Sequence, residues 1–248
     1  MITKNNLKIS KKYSINFDLP IRSKKKLKFI IIHYTGMKKE SDAIKKLCSP
    51  KSKVSAHYYI KTDGKIINLV PDLYVSWHAG KSKWKNFQSL NKNSIGIEIT
   101  NPGHDNGYRK FTKNQILSLK KLLRLLIKKY KIDHRYILGH SDISPDRKKD
   151  PGEKFPWDEL AKNKLCLDHK LSHKGLLKLR GIYLSNKIEQ NEFLKNIYKI
   201  GYNRIGKKKS AHNTKLLIKA FQRRFRQGLI DGKIDKECLI ISRKLLIS

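Results

Sequence analysis

The chain has 248 residues, 38% of them hydrophobic, which suffices for one large domain or a medium domain with a small one. Its 57 Lys and Arg residues against 20 Asp and Glu residues give a formal net charge of +37. No stretch approaches the roughly 18 apolar residues of a membrane span, and three scattered cysteines do not fit a disulfide framework, so membrane-spanning and disulfide-rich proteins are excluded. No signal-peptide pattern is visible in residues 1–18.

The excess of positive charge has two interpretations. Dense Lys and Arg attract polyanions, and the segment with Arg223, Arg224 and Arg226 is the best candidate for contact with nucleic acid. Phe221 and Phe225 have the i, i+4 spacing that would instead turn them into a helical core and leave the arginines solvated. Only 11 of the basic residues are arginine, and the lysines are spread along the chain, as in proteins of AT-rich genomes. We therefore expect no specific nucleic-acid partner, with attraction to an anionic envelope as a by-product.

In chain order, residues 29–165 alternate between strand and helix patterns. The patterning of β-strands is found in five segments: 29–34, the two arms 57–61 and 65–70 of a hairpin with an Asp-Gly turn, 94–100 and 136–139. Thr112 and Gln115 form a capping box, and apolar residues recur at helical spacing from there to Tyr130. This order predicts an α/β domain with a central mixed β-sheet flanked by helices.

Beyond about residue 165 the composition changes to short helical patterns separated by glycine and polar turns. Four helices are predicted, at about 172–179, 188–200, 213–226 and 235–246. They indicate a small all-α bundle, so we divide the chain into a catalytic domain, residues 1–170, and a helical domain, residues 171–248.

Two histidines and an aspartate are candidates for a metal site. His33 and His140 each end a predicted strand, and Asp150 follows in the loop after His140. Two imidazoles and one carboxylate that leave a fourth position for water form a ligand set of catalytic zinc. A single histidine at a strand end is more often structural, and spacing alone does not bring the three residues together.

Glu98 lies between Ile97 and Ile99 in a strand that otherwise has the pattern of a core strand. A carboxylate in such a strand is costly unless it is paired or near a metal, and it would suit a general base. The alternative is an edge strand with Glu98 in water. The pattern alone does not decide between them.

Five motifs then connect these residues to a known family. In chain order they are FIIIHYT (29–35), SAHYYI (55–60), WHAG (77–80), SIGIEI (94–99) and GHSDISPDRKKDPG (139–152). Together they resemble the zinc-dependent N-acetylmuramoyl-L-alanine amidases of the T7-lysozyme-like, peptidoglycan-recognition-protein superfamily, in the branch of the bacterial amidases AmpD and AmiD. The segments 220–226 and 231–235 resemble a peptidoglycan-binding-like domain, which favours AmiD within that branch.

The resemblance assigns roles residue by residue. It implies a Zn²⁺ site formed by His33, His140 and Asp150. Glu98 would be the catalytic carboxylate and Lys148 the transition-state stabiliser. The substrate groove would include Tyr34, His57, Trp77 and His78. Ala56 stands where T7 lysozyme has a catalytic tyrosine, and Asp150 where it has a cysteine ligand. Both departures agree with the AmpD and AmiD branch. The implied reaction is hydrolysis of the bond between N-acetylmuramic acid and L-alanine by a zinc-activated water.

Other interpretations stay open at this point. A peptidoglycan-recognition module could bind muropeptides without cutting them, although such relatives typically lack a zinc ligand. A zinc peptidase of another class is disfavoured because the sequence has no H-E-x-x-H motif. The helical tail favours the periplasm or cell envelope and the absence of a signal peptide favours the cytoplasm. We expect a monomer, because no coiled-coil heptads occur.

Overall fold

The computed structural model describes residues 7–206 and 210–247. Residues 1–6, part of the segment without signal-peptide pattern, and residues 207–209 and 248 of the predicted helical domain lie outside the described residues. The chain forms two compact units, Met1–Gly80 with Asn91–Ile137, and Lys81–Leu90 with Leu138–Ser248. The predicted domain boundary near residue 170 stays a prediction.

Within the described residues, the strands form one six-stranded sheet and two small two-stranded sheets. Their bounds are β1 Ile9–Lys11, β2 Phe17–Asp18, β3 Phe29–Tyr34, β4 Tyr58–Ile60, β5 Ile66–Asn68, β6 Val75–Ser76, β7 Lys83–Trp84, β8 Phe87–Gln88, β9 Ser94–Ile99 and β10 Ile137–Gly139. The order in the large sheet is β1-β5-β4-β9-β3-β10. The β4–β5 pair is antiparallel, whereas β1–β5, β4–β9 and β3–β9 are parallel. The expected mixed sheet is confirmed.

Eight α-helices lie among the described residues. Their bounds are α1 Glu40–Cys48, α2 Lys113–Tyr130, α3 His140–Ile143, α4 Trp157–Lys162, α5 His173–Leu177, α6 Lys187–Ile200, α7 Ala211–Phe225 and α8 Lys236–Leu245. Among the helices described, none combines the length and apolar character that crossing a bilayer requires. The α/β fold class with a helical C-terminal region is confirmed.

Helix α2 follows its sequence signals closely. The Thr112 hydroxyl accepts the N–H of Gln115 at 3.1 Å, and the Gln115 side chain accepts the N–H of Thr112 at 2.9 Å. The amide of Gln115 also donates to the carbonyl of Thr100, just past the end of β9. The buried residues of the helix repeat at helical spacing: Ile116, Leu119, Leu122, Leu123 and Leu126. Burial of each such side chain contributes about 1.5–3 kcal/mol.

Strand β9 is interior to the sheet, so the edge-strand interpretation of Glu98 is wrong. It pairs with β4 on one side and with β3 on the other. In the parallel register with β3, Glu98 lies opposite His33. Because side chains of laterally paired residues point to the same face, the carboxylate and the imidazole share one face of the sheet.

Helices α6, α7 and α8 form the core of the helical region. Phe193 of α6 packs edge-on against Phe221 of α7, with ring centroids 5.1 Å apart. Arg224 and Arg226 are buried, and each is paired with aspartate. Two of the three arginines considered for nucleic-acid contact are therefore in the protein interior. The expectation that a helical core would leave these arginines solvated is wrong for Arg224 and Arg226.

Candidate metal centre and catalytic site

His33, at the end of β3, is held by a second histidine. It is 1% exposed, and its Nε2 lies 3.0 Å from Nδ1 of His78. Nε2 of His78 lies in turn 3.0 Å from the hydroxyl of Ser94. These contacts fix the orientation of the His33 ring through its neighbour, as partners of metal-ligating histidines do.

The position of His78 depends on a glycine inside strand β9. A Cβ atom added at Gly96 would lie 2.4 Å from Cγ of His78, so any larger residue would displace the imidazole. The N–H of Ala79 next to His78 donates to the side-chain oxygen of Asn91 at 2.6 Å. Glycine within a strand marks such a close approach, so the sequence could have indicated that some group lies against Gly96.

His57 is completely buried and is engaged on both ring nitrogens. Its Nδ1 accepts the N–H of Gly96 at 3.0 Å, and its Nε2 lies 2.8 Å from Nη2 of Arg22 and 3.0 Å from the carbonyl oxygen of Tyr74. Burial, and then the nearby Arg22 charge, lowers the pKa of His57 to about 3. His57 is thus a neutral group that joins β4 to β9, and this position favours a structural role over contact with substrate.

The three predicted ligands lie together. One donor atom each of His33, His140 and Asp150 lies within 4.8 Å of the others, and all three residues are buried. Nδ1 of His140 is 3.1 Å from Oδ2 of Asp150. This cluster could hold a metal ion, since two imidazoles and a carboxylate have the donor types that divalent transition metals prefer.

Glu98 and Lys148 are both partly buried, in different kinds of structure. Glu98 lies on the strand β9, in register with His33 and with Tyr59 of β4. Lys148 lies in the loop between His140 and Asp150, where its backbone N–H donates to the carbonyl of Ser144 at 3.0 Å. The strand fixes the Glu98 backbone on both sides, whereas the loop fixes Lys148 through its own turn.

The two aromatic residues of the predicted groove remain partly exposed. The hydroxyl of Tyr34 lies 2.8 Å from Nδ1 of His104, whose ring stacks on Tyr108 at 4.4 Å. The indole N–H of Trp77 donates to Asp18 at 2.7 Å. Their exposure leaves room for contact with a substrate, which stays a prediction. Neither spacing nor pattern in the sequence indicated the aromatic partners of Tyr34.

Comparison with known proteins identifies the family. The profile of the Amidase_2 family, described as N-acetylmuramoyl-L-alanine amidase, matches residues 23–153. This chain belongs to that family. The amidase is thus a peptidoglycan hydrolase, and the sequence-based assignment is confirmed.

Two relatives show how far the similarity extends. The amidase is 31% identical over 234 residues to N-acetylmuramoyl-L-alanine amidase AmiD of Escherichia coli, covering 89% of this chain and 83% of AmiD. It is 41% identical over 105 residues to 1,6-anhydro-N-acetylmuramyl-L-alanine amidase AmpD of the same species, covering 42% of this chain and 55% of AmpD. The similarity to AmiD thus includes the helical tail.

Solved structures give the same result. AmiD of E. coli, in complex with the substrate anhydro-N-acetylmuramic acid-L-Ala-D-gamma-Glu-L-Lys, superposes with a TM-score of 0.79 at 28% identity, covering 93% of this chain and 92% of AmiD. AmpDh3 of Pseudomonas aeruginosa superposes with a TM-score of 0.76 at 29% identity, covering 92% and 94% of the two chains. The amidase therefore belongs to the AmpD and AmiD branch, as the motifs indicated.

Proposed function

We propose that the amidase hydrolyses the amide bond between N-acetylmuramic acid and L-alanine with the help of a zinc ion held by His33, His140 and Asp150. The observation that carries the proposal is the convergence of these three buried donors, distant in sequence, in a chain of this family. The donor set fits catalytic zinc, which takes three protein ligands and leaves a position for water. When bound, zinc supplies Lewis-acid polarisation of the scissile carbonyl and lowers the pKa of water to about 7.

His78 and Ser94 act on the ligand and not on the substrate. Because Nε2 of His33 faces His78, Nδ1 of His33 would be the nitrogen available to a metal ion. The contacts of His78 with His33 and with Ser94 would keep the His33 ring in that orientation. His57 holds the same part of the sheet through its hydrogen bond with Gly96. We therefore assign His57 and His78, both predicted for the substrate groove, to positioning the metal site.

Glu98 is the general base of the proposed reaction. It accepts a proton from the attacking water and afterwards delivers it to the leaving amine of L-alanine. The ammonium of Lys148 stabilises the negative charge that develops on the carbonyl oxygen. Both assignments follow the family pattern, and the shared sheet face of Glu98 and His33 supports the first of them.

The substrate class follows from the relatives. AmiD was solved with an anhydro-muramyl tripeptide and AmpDh3 with an anhydromuramic pentapeptide. We propose muropeptides of this kind as substrates, with Tyr34 and Trp77 in the groove. Their partly exposed rings offer flat apolar faces of the type that packs against sugars and peptides.

The test uses the full chain with two substrates, purified sacculi and an anhydro-muropeptide, and mass spectrometry of the products. We expect stem peptides that begin with a free L-alanine amine, no product after chelation with phenanthroline, and recovery on addition of zinc. Binding of muropeptide without any cleavage would support the non-catalytic recognition module instead. Cleavage of another bond would contradict the proposal.

A further inference from the structure

The turn that carries His140 contains a buried carboxylate of its own. Asp142 is 1% exposed and lies in α3, two residues after His140. Its Oδ2 accepts the N–H of Gly139 at 2.7 Å, which closes the turn in front of His140. The N–H of Ser141 donates to the carbonyl of Asp150 at 2.8 Å. The backbone around Asp142 is therefore connected to both ligands that this segment supplies.

Two side chains from the helical tail compensate this carboxylate. Arg224, in the last turn of α7, donates from Nη1 to Oδ2 of Asp142 at 2.6 Å. Tyr202, after the end of α6, donates its hydroxyl to Oδ1 at 2.6 Å. Arg224 is 3% exposed and Tyr202 is 2% exposed, so the contact is screened from water.

The partners are themselves fixed by packing. The guanidinium of Arg224 lies over the ring of Trp157 at 4.5 Å, and a Cβ atom added at Gly139 would lie 3.3 Å from that indole. The ring of Tyr202 packs against Trp84 with centroids 4.8 Å apart. Burial disfavours the Arg224 cation, but the charge of Asp142, its hydrogen bond to Arg224 and the nearby Tyr202 and Cys166 together outweigh burial and raise the pKa of Arg224.

A buried ion pair of this kind tolerates the loss of a partner poorly. When one member is removed, the other remains as an uncompensated charge in the interior, which is strongly destabilising. Without Arg224, Asp142 would have to rearrange toward water. Because its Oδ2 also accepts the N–H of Gly139, this rearrangement would loosen the turn that begins at His140.

We infer that the C-terminal helices position the metal-ligand turn, through Arg224 and Tyr202 on Asp142, and so set the metal affinity of the amidase. The inference rests on the proposed function for the identity of the ligands. It gives the helical tail a role in the catalytic machinery that is separate from any grip on the wall. Arg224, Tyr202 and Asp142 are positioning residues in this scheme.

The test compares two ion pairs in the full-length protein, each with a buried carboxylate. Arg224→Met removes the guanidinium on Asp142, and Arg180→Met removes that of the Arg180–Glu237 pair, whose two hydrogen bonds of 2.7 and 2.8 Å stay within the tail. Zinc affinity is measured by competition with a chromophoric chelator. We expect Arg224→Met to bind zinc about 10–100-fold more weakly, the range for lost support of a ligand. Arg224→Lys, which keeps the charge, should recover part of the loss, and Arg180→Met should keep wild-type affinity.

A second measurement needs no metal. Hydrogen–deuterium exchange of the apo proteins should be faster in residues 139–150 of Arg224→Met than in Arg180→Met. Tyr202→Phe, which removes one hydroxyl only, should show the same changes to a smaller extent and serves if Arg224→Met does not fold. Equal zinc affinity and equal exchange in the Arg224 and Arg180 variants would overturn the inference. Failure of the wild-type protein to bind zinc would overturn the proposed function instead.

Discussion

His33 and Glu98 lie on neighbouring parallel strands, whereas His140, Lys148 and Asp150 lie on a short helix and the loop that follows it. The backbone hydrogen bonds of β3 and β9 fix the first two residues relative to each other. The turn has no such ladder and is held by a carboxylate and its side-chain partners. The candidate site therefore combines a part fixed by strand register with a part fixed by tertiary contacts.

We expect the largest loss of activity from a change at Glu98 on strand β9. Glu98→Gln keeps the size of the side chain but removes the base, and we expect kcat to fall about 10²–10⁴-fold, the usual contribution of general acid–base catalysis. Zinc affinity and Tm should stay near wild-type values, because β9 remains paired on both sides. Release of stem peptide from sacculi measures the rate. Undiminished release would remove Glu98 from the mechanism.

The next largest loss of activity is expected from a change at Lys148, in the loop between His140 and Asp150. Lys148→Met removes the ammonium and should lower kcat about 10²–10³-fold, as loss of an electrostatic donor to the oxyanion does. The exposed neighbour provides the matched control, Lys149→Met, which should change kcat little. A similar loss in both variants would show that the charge of the loop acts only in attracting substrate.

A smaller effect is expected from changes at His78, which contacts the proposed ligand His33. His78→Leu removes the polar partner of Nε2 of His33, and we expect zinc affinity to weaken about 10–100-fold. His78→Asn can keep an acceptor near the Nδ1 position and should lose less. Competition with a chelator measures both. Equal affinity in the two variants would assign the effect of His78 to packing alone.

The last prediction concerns the loss of stability as the pH falls, an effect that is small at neutral pH. The pKa of His57 is lowered to about 3 in the folded protein, so the unfolded chain binds the additional proton first as the pH falls. His57 should therefore reduce the free energy of unfolding below pH 6.5 by about 1.4 kcal/mol per pH unit, down to about pH 3. Denaturant unfolding of wild type and His57→Asn at several pH values measures the difference. Parallel pH dependences would contradict the assignment.

The sequence predicts the elements of the amidase that depend on local signals. The bounds of β3 are those expected, and α2 begins at the capping box expected for it. By contrast, α1 buries only Ala43 and Leu47 and has no side-chain cap, so its pattern was too weak to be recognised. β1 has three residues and owes its place to pairing with β5.

The candidate site residues could be predicted from sequence motifs. Contacts between residues that are distant in the sequence could not. The pattern around Glu98 could not distinguish an edge strand from an interior strand, because that depends on which strands pair with β9. Asp142 and Arg224 are 82 residues apart, and neither periodicity nor spacing connects them. Gly96 is intermediate: glycine within a strand signals a close approach, but not that the neighbour is His78.

The most direct test of the account is a titration of zinc into the metal-free full chain, with His33→Ala, His140→Ala and the exposed-site control His134→Ala measured alongside. We predict one tightly bound zinc per chain in the wild type and in the control, and loss of that tight site in each of the two ligand variants. Tight binding that survives in His33→Ala and His140→Ala, or its absence from the wild type, would contradict a metal centre formed by these residues.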